Sequence, residues 1–150
     1  MTHFDTAVEI QAPPDRVWSV MRDVERWPEW TPSISSVTRL EGGPFDVGSR
    51  ARIRQPKLFP AVWRVTELEE GRGFTWVTHS PGVRVRARHY VEPTAQGARA
   101  TFSLDFSGPL APIVARLTRG LNERYLALEA KGLKERSESA STQPATAAAH

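Results

Sequence analysis

Two stretches of this chain carry a cation at every second position: Arg50-Ala51-Arg52-Ile53-Arg54 and Val83-Arg84-Val85-Arg86-Ala87-Arg88. A guanidinium keeps its charge, and burying it unpaired is prohibitive. The arginines must therefore face water, and the residues between them must face a core. Side chains alternate across a strand, so both stretches read as half-buried strands. Their inward sets are Ala51 and Ile53, then Val83, Val85, Ala87, His89 and Val91.

The same parity sets Phe74, Trp76 and Thr78 inward over residues 74–79, and Ala100, Phe102, Leu104 and Phe106 over residues 98–106. Trp63 and Val65 face inward as well, although Leu68 breaks the alternation. Short Gly/Pro turns separate strands at residues 34–40, 49–55, 61–68, 74–79, 83–91 and 98–106, which predicts an antiparallel meander. Residues 4–10 alternate too and form a first strand. Between that strand and the meander, Pro13 and Pro14 suit a helix start. Val17, Trp18, Val20 and Met21 give it an apolar face. Asp23 is placed to cap a second short helix carrying Val24, Trp27 and Trp30, which Pro32 ends.

After residue 109 the period becomes helical. Leu110, Ile113, Val114, Leu117, Leu121, Tyr125 and Leu128 form one apolar stripe, with Gly132 a plausible stop. Residues 137–150 are Ser-, Thr-, Ala- and Pro-rich without an apolar face, which predicts a disordered tail. The folded part, residues 1–136, is long enough for a single domain with its own core. An antiparallel sheet has one apolar face that must be covered, and only the long helix is large enough to cover it. The expected product is a twisted sheet wrapped around that helix, with a cavity between them.

Composition excludes several chemistries. The chain has no cysteine, so it holds no disulfide, Cys-ligated zinc or thiol nucleophile. Its four histidines are scattered without metal-ligand spacing. It has no phosphate loop, dinucleotide fingerprint or nucleophile elbow. No cofactor or metal is expected. No signal-peptide pattern opens the chain, and no run approaches the roughly 20 apolar residues of a membrane span. A cytoplasmic protein without membrane insertion is therefore expected. The net charge is +3, with a pI near 9.8. The outward arginines would form a basic convex face, but no aromatic residues alternate with them as a base-stacking platform requires, so nucleic acid is not the expected partner.

The element order, with APPDRVWSVMRDVERWPEWTPSI near the start and FSGPLAPIVARLTRGLNERYLALEAKGLKERSE at the end, resembles the polyketide cyclase/dehydrase family of the START-like (SRPBCC) superfamily. The resemblance covers about residues 2–136. It implies an α+β helix-grip fold: a seven-stranded antiparallel sheet around a long C-terminal helix, with two short helices between strands 1 and 2. It also implies a deep hydrophobic ligand cavity. The Trp and Pro residues near the start look like end-closing packing residues.

Within that frame, the candidate cavity lining is Trp63, Val65, Phe74, Trp76, Thr78, Val85, Ala87, Phe102, Leu104, Leu117, Gly120 and Leu121. Three residues carry candidate chemistry. His89 is either a histidine satisfied by a neighbour or a proton donor or acceptor to a ligand. Arg124 falls inside the apolar stripe on a helical wheel. It either snorkels to the cavity mouth or pairs with a local acid, or it anchors a ligand carboxylate, enolate or phenolate. The Tyr125 ring packs, and its hydroxyl is within reach of a ligand. Gly120, on the inner side, makes room for a ligand or for Trp76. No inward Asp or Glu pair is evident. Glu67 points inward only if the parity of its strand holds. The expected function is binding of a small polyketide, aromatic or lipid-like molecule. The alternative is a cyclase, aromatase or dehydratase using the same cavity. Oligomeric state is not legible.

Overall fold

The computed structural model describes residues 2–148, with side chains through residue 139. Among these, seven strands form one antiparallel sheet: β1 (Thr2–Ile10), β2 (Ser36–Arg39), β3 (Arg50–Arg54), β4 (Ala61–Glu69), β5 (Gly73–Ser80), β6 (Val83–Thr94) and β7 (Gly97–Ser107). Their order is β1-β7-β6-β5-β4-β3-β2, so the meander runs from β2 to β7 and the first strand joins beyond the last. Helix α1 (Pro14–Arg22) and a 3-10 helix (Val24–Glu29) follow β1. Helices α2 (Ala111–Leu117) and α3 (Arg119–Ala148) follow β7. The expected helix-grip architecture is the one observed.

Arginine parity holds on β3 and β6. Ala51, Ile53, Ala87, His89 and Val91 are buried, while Arg50, Arg52, Arg54, Arg84 and Arg88 are exposed. The irregularity at Leu68 is a β-bulge. Val65 pairs with Trp76 and Glu67 with Thr75, so Thr66 is the extra residue. The bulge returns Leu68 to the concave face opposite Phe74 and leaves Glu67 exposed on the convex face.

The C-terminal helices depart from expectation. Gly132 does not stop α3; it lies inside it, and a Cβ there would overlap the Trp30 carbonyl oxygen. Only glycine allows this close approach of helix to backbone. The expected tail begins too early as well. Ser137 is buried within α3, and the Glu138 carboxylate accepts hydrogen bonds from the Gln11 backbone N–H and from Lys134 Nζ. The side chains of residues 140–150 lie outside the described residues.

Two glycines in one helix should therefore respond oppositely to alanine. Gly132→Ala should destabilise by about 1–3 kcal/mol, because the clash is with backbone and outweighs the gain in helix propensity. Gly120 is exposed with open space around it. Gly120→Ala should stabilise by about 0.5–1 kcal/mol, raising Tm by roughly 1–4 °C. Thermal unfolding of both variants checks the pair.

Candidate functional site

Cross-strand register builds the concave wall in rows. One row runs Leu68, Phe74, His89, Phe102 and Thr6; the next runs Val65, Trp76, Ala87, Leu104 and Phe4. Pairs directly opposite on one face touch, which brings the inward residues of β4 to β7 together. His89 sits at the centre. Its ring stacks on Phe74 at 4.6 Å, with Trp27 at 5.1 Å and Trp76 and Phe102 at 5.7 Å.

Trp27 does more than close an end. It contacts Trp30, Phe74, Trp76 and His89, and its indole N–H donates to the Met21 carbonyl. Phe45, from the β2–β3 loop, adds a ring 5.0 Å from Phe74. Aromatic side chains thus fill the half of the interior around His89, where a ligand space was expected. Toward the opposite end of the sheet the concave residues Val83, Val85 and Leu104 stay only half-buried.

Burial holds the His89 imidazole far below its ordinary value, at about 3, with a hydrogen bond to the Phe74 backbone opposing this in part. Its Nδ1 is buried with no partner among the described residues. His89 is therefore neutral at neutral pH. A base this weak moves few protons there.

The stripe on α2 and α3 lies about one residue away from the expected one. The buried positions are Ala111, Ala115, Asn122, Leu126, Glu129, Leu133 and Ser137, with Tyr125 and Ala130 alongside. Leu117, Gly120 and Arg124 are exposed, and Leu121 is half-buried. So Arg124 is no interior anchor, Leu117 is no cavity wall, and Gly120 makes no room for Trp76. A steric limit acts at Gly132, where a Cβ would overlap the Trp30 carbonyl oxygen, while Leu126 and Leu133 fill the buried face beside it. Tyr125 is buried as expected, but its hydroxyl donates to the Pro56 carbonyl, tying the β3–β4 loop to α3.

A polar seam crosses the interface of α3 with the segment before β2. The Ser33 hydroxyl donates to Glu129 Oε2 at 3.1 Å and is 2.8 Å from the Thr31 hydroxyl. Gln55 Nε2 donates to the Ser33 carbonyl at 3.3 Å. Burial pushes the Glu129 carboxyl up to about 7, the Ser33 hydrogen bond opposing only in part. Sequence reading missed Glu129. The available signal was its place on a stripe with Leu126 and Leu133, three residues after one and four before the other. Among the described residues, no cluster of His, Asp and Glu could hold a metal ion.

A model of the family described as polyketide cyclase/dehydrase and lipid transport matches residues 1–138. No curated protein matches the sequence. Solved structures share the fold, among them the following three. The aromatase/cyclase Zhui from Streptomyces sp. R1128 is 18% identical, with a TM-score of 0.74, covering 91% of this chain and 93% of that one. A protein from Thermobifida fusca is 22% identical with a TM-score of 0.75, covering 91% and 93%. Ara h 8.0201 is 14% identical with a TM-score of 0.69, covering 92% and 98%.

The two buried titratable groups should give stability opposite slopes with pH. The unfolded chain protonates an imidazole near 6.5, whereas folded His89 resists until about 3. Its contribution is complete above 6.5 and is lost as pH falls toward 3. Folded Glu129 keeps its proton to about 7, against 4.5 unfolded. Its contribution is complete below 4.5 and is lost as pH rises toward 7. Denaturant midpoints at about pH 4, 6 and 8 should show His89→Phe flattening the acid limb and Glu129→Gln flattening the rise-linked loss.

Proposed function

The chain belongs to the polyketide cyclase/dehydrase and lipid transport family, and on that footing we propose that it binds a small hydrophobic molecule between the concave face and the α2–α3 helices. The observation that carries this reading is the half-burial of Val83, Val85 and Leu104. All three face the helices from strands β6 and β7, which have sheet neighbours on both sides. Side chains so placed are sealed when other side chains fill the space above them; here solvent reaches them. The aromatic cluster around Trp76 would form the floor for such a guest, and Thr78 supplies a hydroxyl on the same face. A planar polyketide, aromatic compound or lipid-like chain suits those walls.

A second reading, an enzyme of the cyclase, aromatase or dehydratase type, is favoured by Glu129. A buried carboxyl held near 7 is matched to proton transfer at neutral pH, which His89 is not. Positioning of a reactive polyketone would supply much of the remaining rate. In this reading Glu129 replaces Arg124 as the group to test, because Arg124 is exposed.

Titration with the apolar fluorophore anilinonaphthalene sulfonate, with native mass spectrometry for co-purified molecules, tests the first reading. Saturable uptake is expected. Leu104→Trp and Val85→Phe, which fill the half-open space with apolar bulk, should weaken it by roughly tenfold or more while the fold persists. His89→Ala should retain binding. Uptake unchanged in both filled variants would overturn the site. Given a reactive polyketone, loss of turnover in Glu129→Gln with binding retained would select the enzyme reading.

A further inference from the structure

Three segments leave the same end of the antiparallel sheet: the β3–β4 loop, the β5–β6 turn and the β7–α2 junction. They are tied together there. The Leu110 N–H donates to the Gly82 carbonyl at 2.8 Å, and the Tyr125 hydroxyl holds the Pro56 carbonyl against α3. This end exposes large apolar side chains: Phe59 is 94% exposed, Leu117 81%, Ile113 57% and Leu110 45%. Lys57, in a left-handed conformation (φ 68), turns the loop tip that carries Phe59.

Cations adjoin them along the chain, Arg54 and Lys57 before Phe59 and Arg116 and Arg119 on either side of Leu117, the last two also lining a groove with Asp5 and Glu123. Arg54, Lys57, Arg116 and Arg119 are exposed and, among the described residues, none sits in an ion pair. Residues 54–66, 76–91 and 106–122 contain no Asp or Glu. An oily tip flanked by cations outside ion pairs differs from the rest of the convex face, where the arginines other than Arg54 have charge without comparable apolar bulk.

We propose that this end docks on the surface of an anionic lipid bilayer. Phe59, Ile113 and Leu117 would enter the boundary between headgroups and acyl chains, and the four cations would meet lipid phosphates. Charge selects this occupant over a second copy of the chain, since a symmetric self-contact would set these cations against one another. The seat is shallow: no helix among the described residues is long and apolar enough to cross a membrane. This docking end is separate from the concave face, where the proposed ligand site lies.

Vesicle flotation of the full chain tests it, with phosphatidylcholine alone and with phosphatidylglycerol added. Binding is expected with phosphatidylglycerol, weakened roughly tenfold by raised salt. Phe59→Ser/Leu117→Ser and Arg116→Gln/Arg119→Gln should each lose binding by a similar factor, and the convex-face pair Arg52→Gln/Arg88→Gln should keep it. These substitutions are at exposed positions, and near-UV circular dichroism with a cooperative thermal transition reports an intact fold. Three results would overturn the proposal: no binding to anionic vesicles; loss in the convex-face pair with retention in Phe59→Ser/Leu117→Ser; or light scattering showing a dimer that Phe59→Ser/Leu117→Ser dissolves while vesicle binding is unchanged.

Discussion

A guanidinium cannot shed its charge to enter a core, and this one constraint orients most of the sheet. With Arg50, Arg52, Arg54, Arg84 and Arg88 committed to water, the strands between and beside them have no choice of face. Register then carries the choice sideways. Phe74 opposes His89 and His89 opposes Phe102, so the parity of β6 sets that of β5 and β7. A slip of one residue would bury a row of cations. Val77 shows the same rule from the outside: it pairs with Arg64 and Arg86 on the convex face yet is buried, a place consistent with cover from their aliphatic stems.

The helix that the sheet grips obeys a different constraint, the closeness of its neighbours. At Gly132 the Trp30 carbonyl leaves no room for even a methyl group, while Ala111, Ala115, Leu126 and Leu133 occupy buried positions of α2 and α3. Ile113 and Leu117 of α2 turn outward, and each forgoes part of the about 1.5–3 kcal/mol that full burial contributes. A face left that oily is unusual without a partner.

Two of the buried polar side chains, His89 and Glu129, are both held in their uncharged forms for the same reason. Low dielectric disfavours charge, so His89 stays a neutral imidazole and Glu129 keeps its proton. His89 is locked among rings with one nitrogen unsatisfied. Glu129 is held by Ser33 at the edge of the helix–sheet interface, where a change of pH near neutrality alters its charge. The two groups therefore differ in what they can offer a guest: an uncharged, aromatic-like surface in one case, an exchangeable proton in the other.

Much of the fold was legible from residue order alone, because strand parity and turn chemistry are local. Every strand appeared within a few residues of its expected place, and the inward residues of β5, β6 and β7 matched. Leu68 marked the bulge without explaining it. Arg124, Leu117 and Gly120 were misplaced, and Glu129 was missed, because a helical wheel ranks faces by oiliness and assumes the oiliest is buried. The chain by itself determined which side of the sheet is dry, since charge has a fixed preference for water. Only the tertiary structure decided which side of the helix is inside, since that depends on how near the Trp30 backbone and β1 come to its axis, and distance between remote segments leaves no periodic trace.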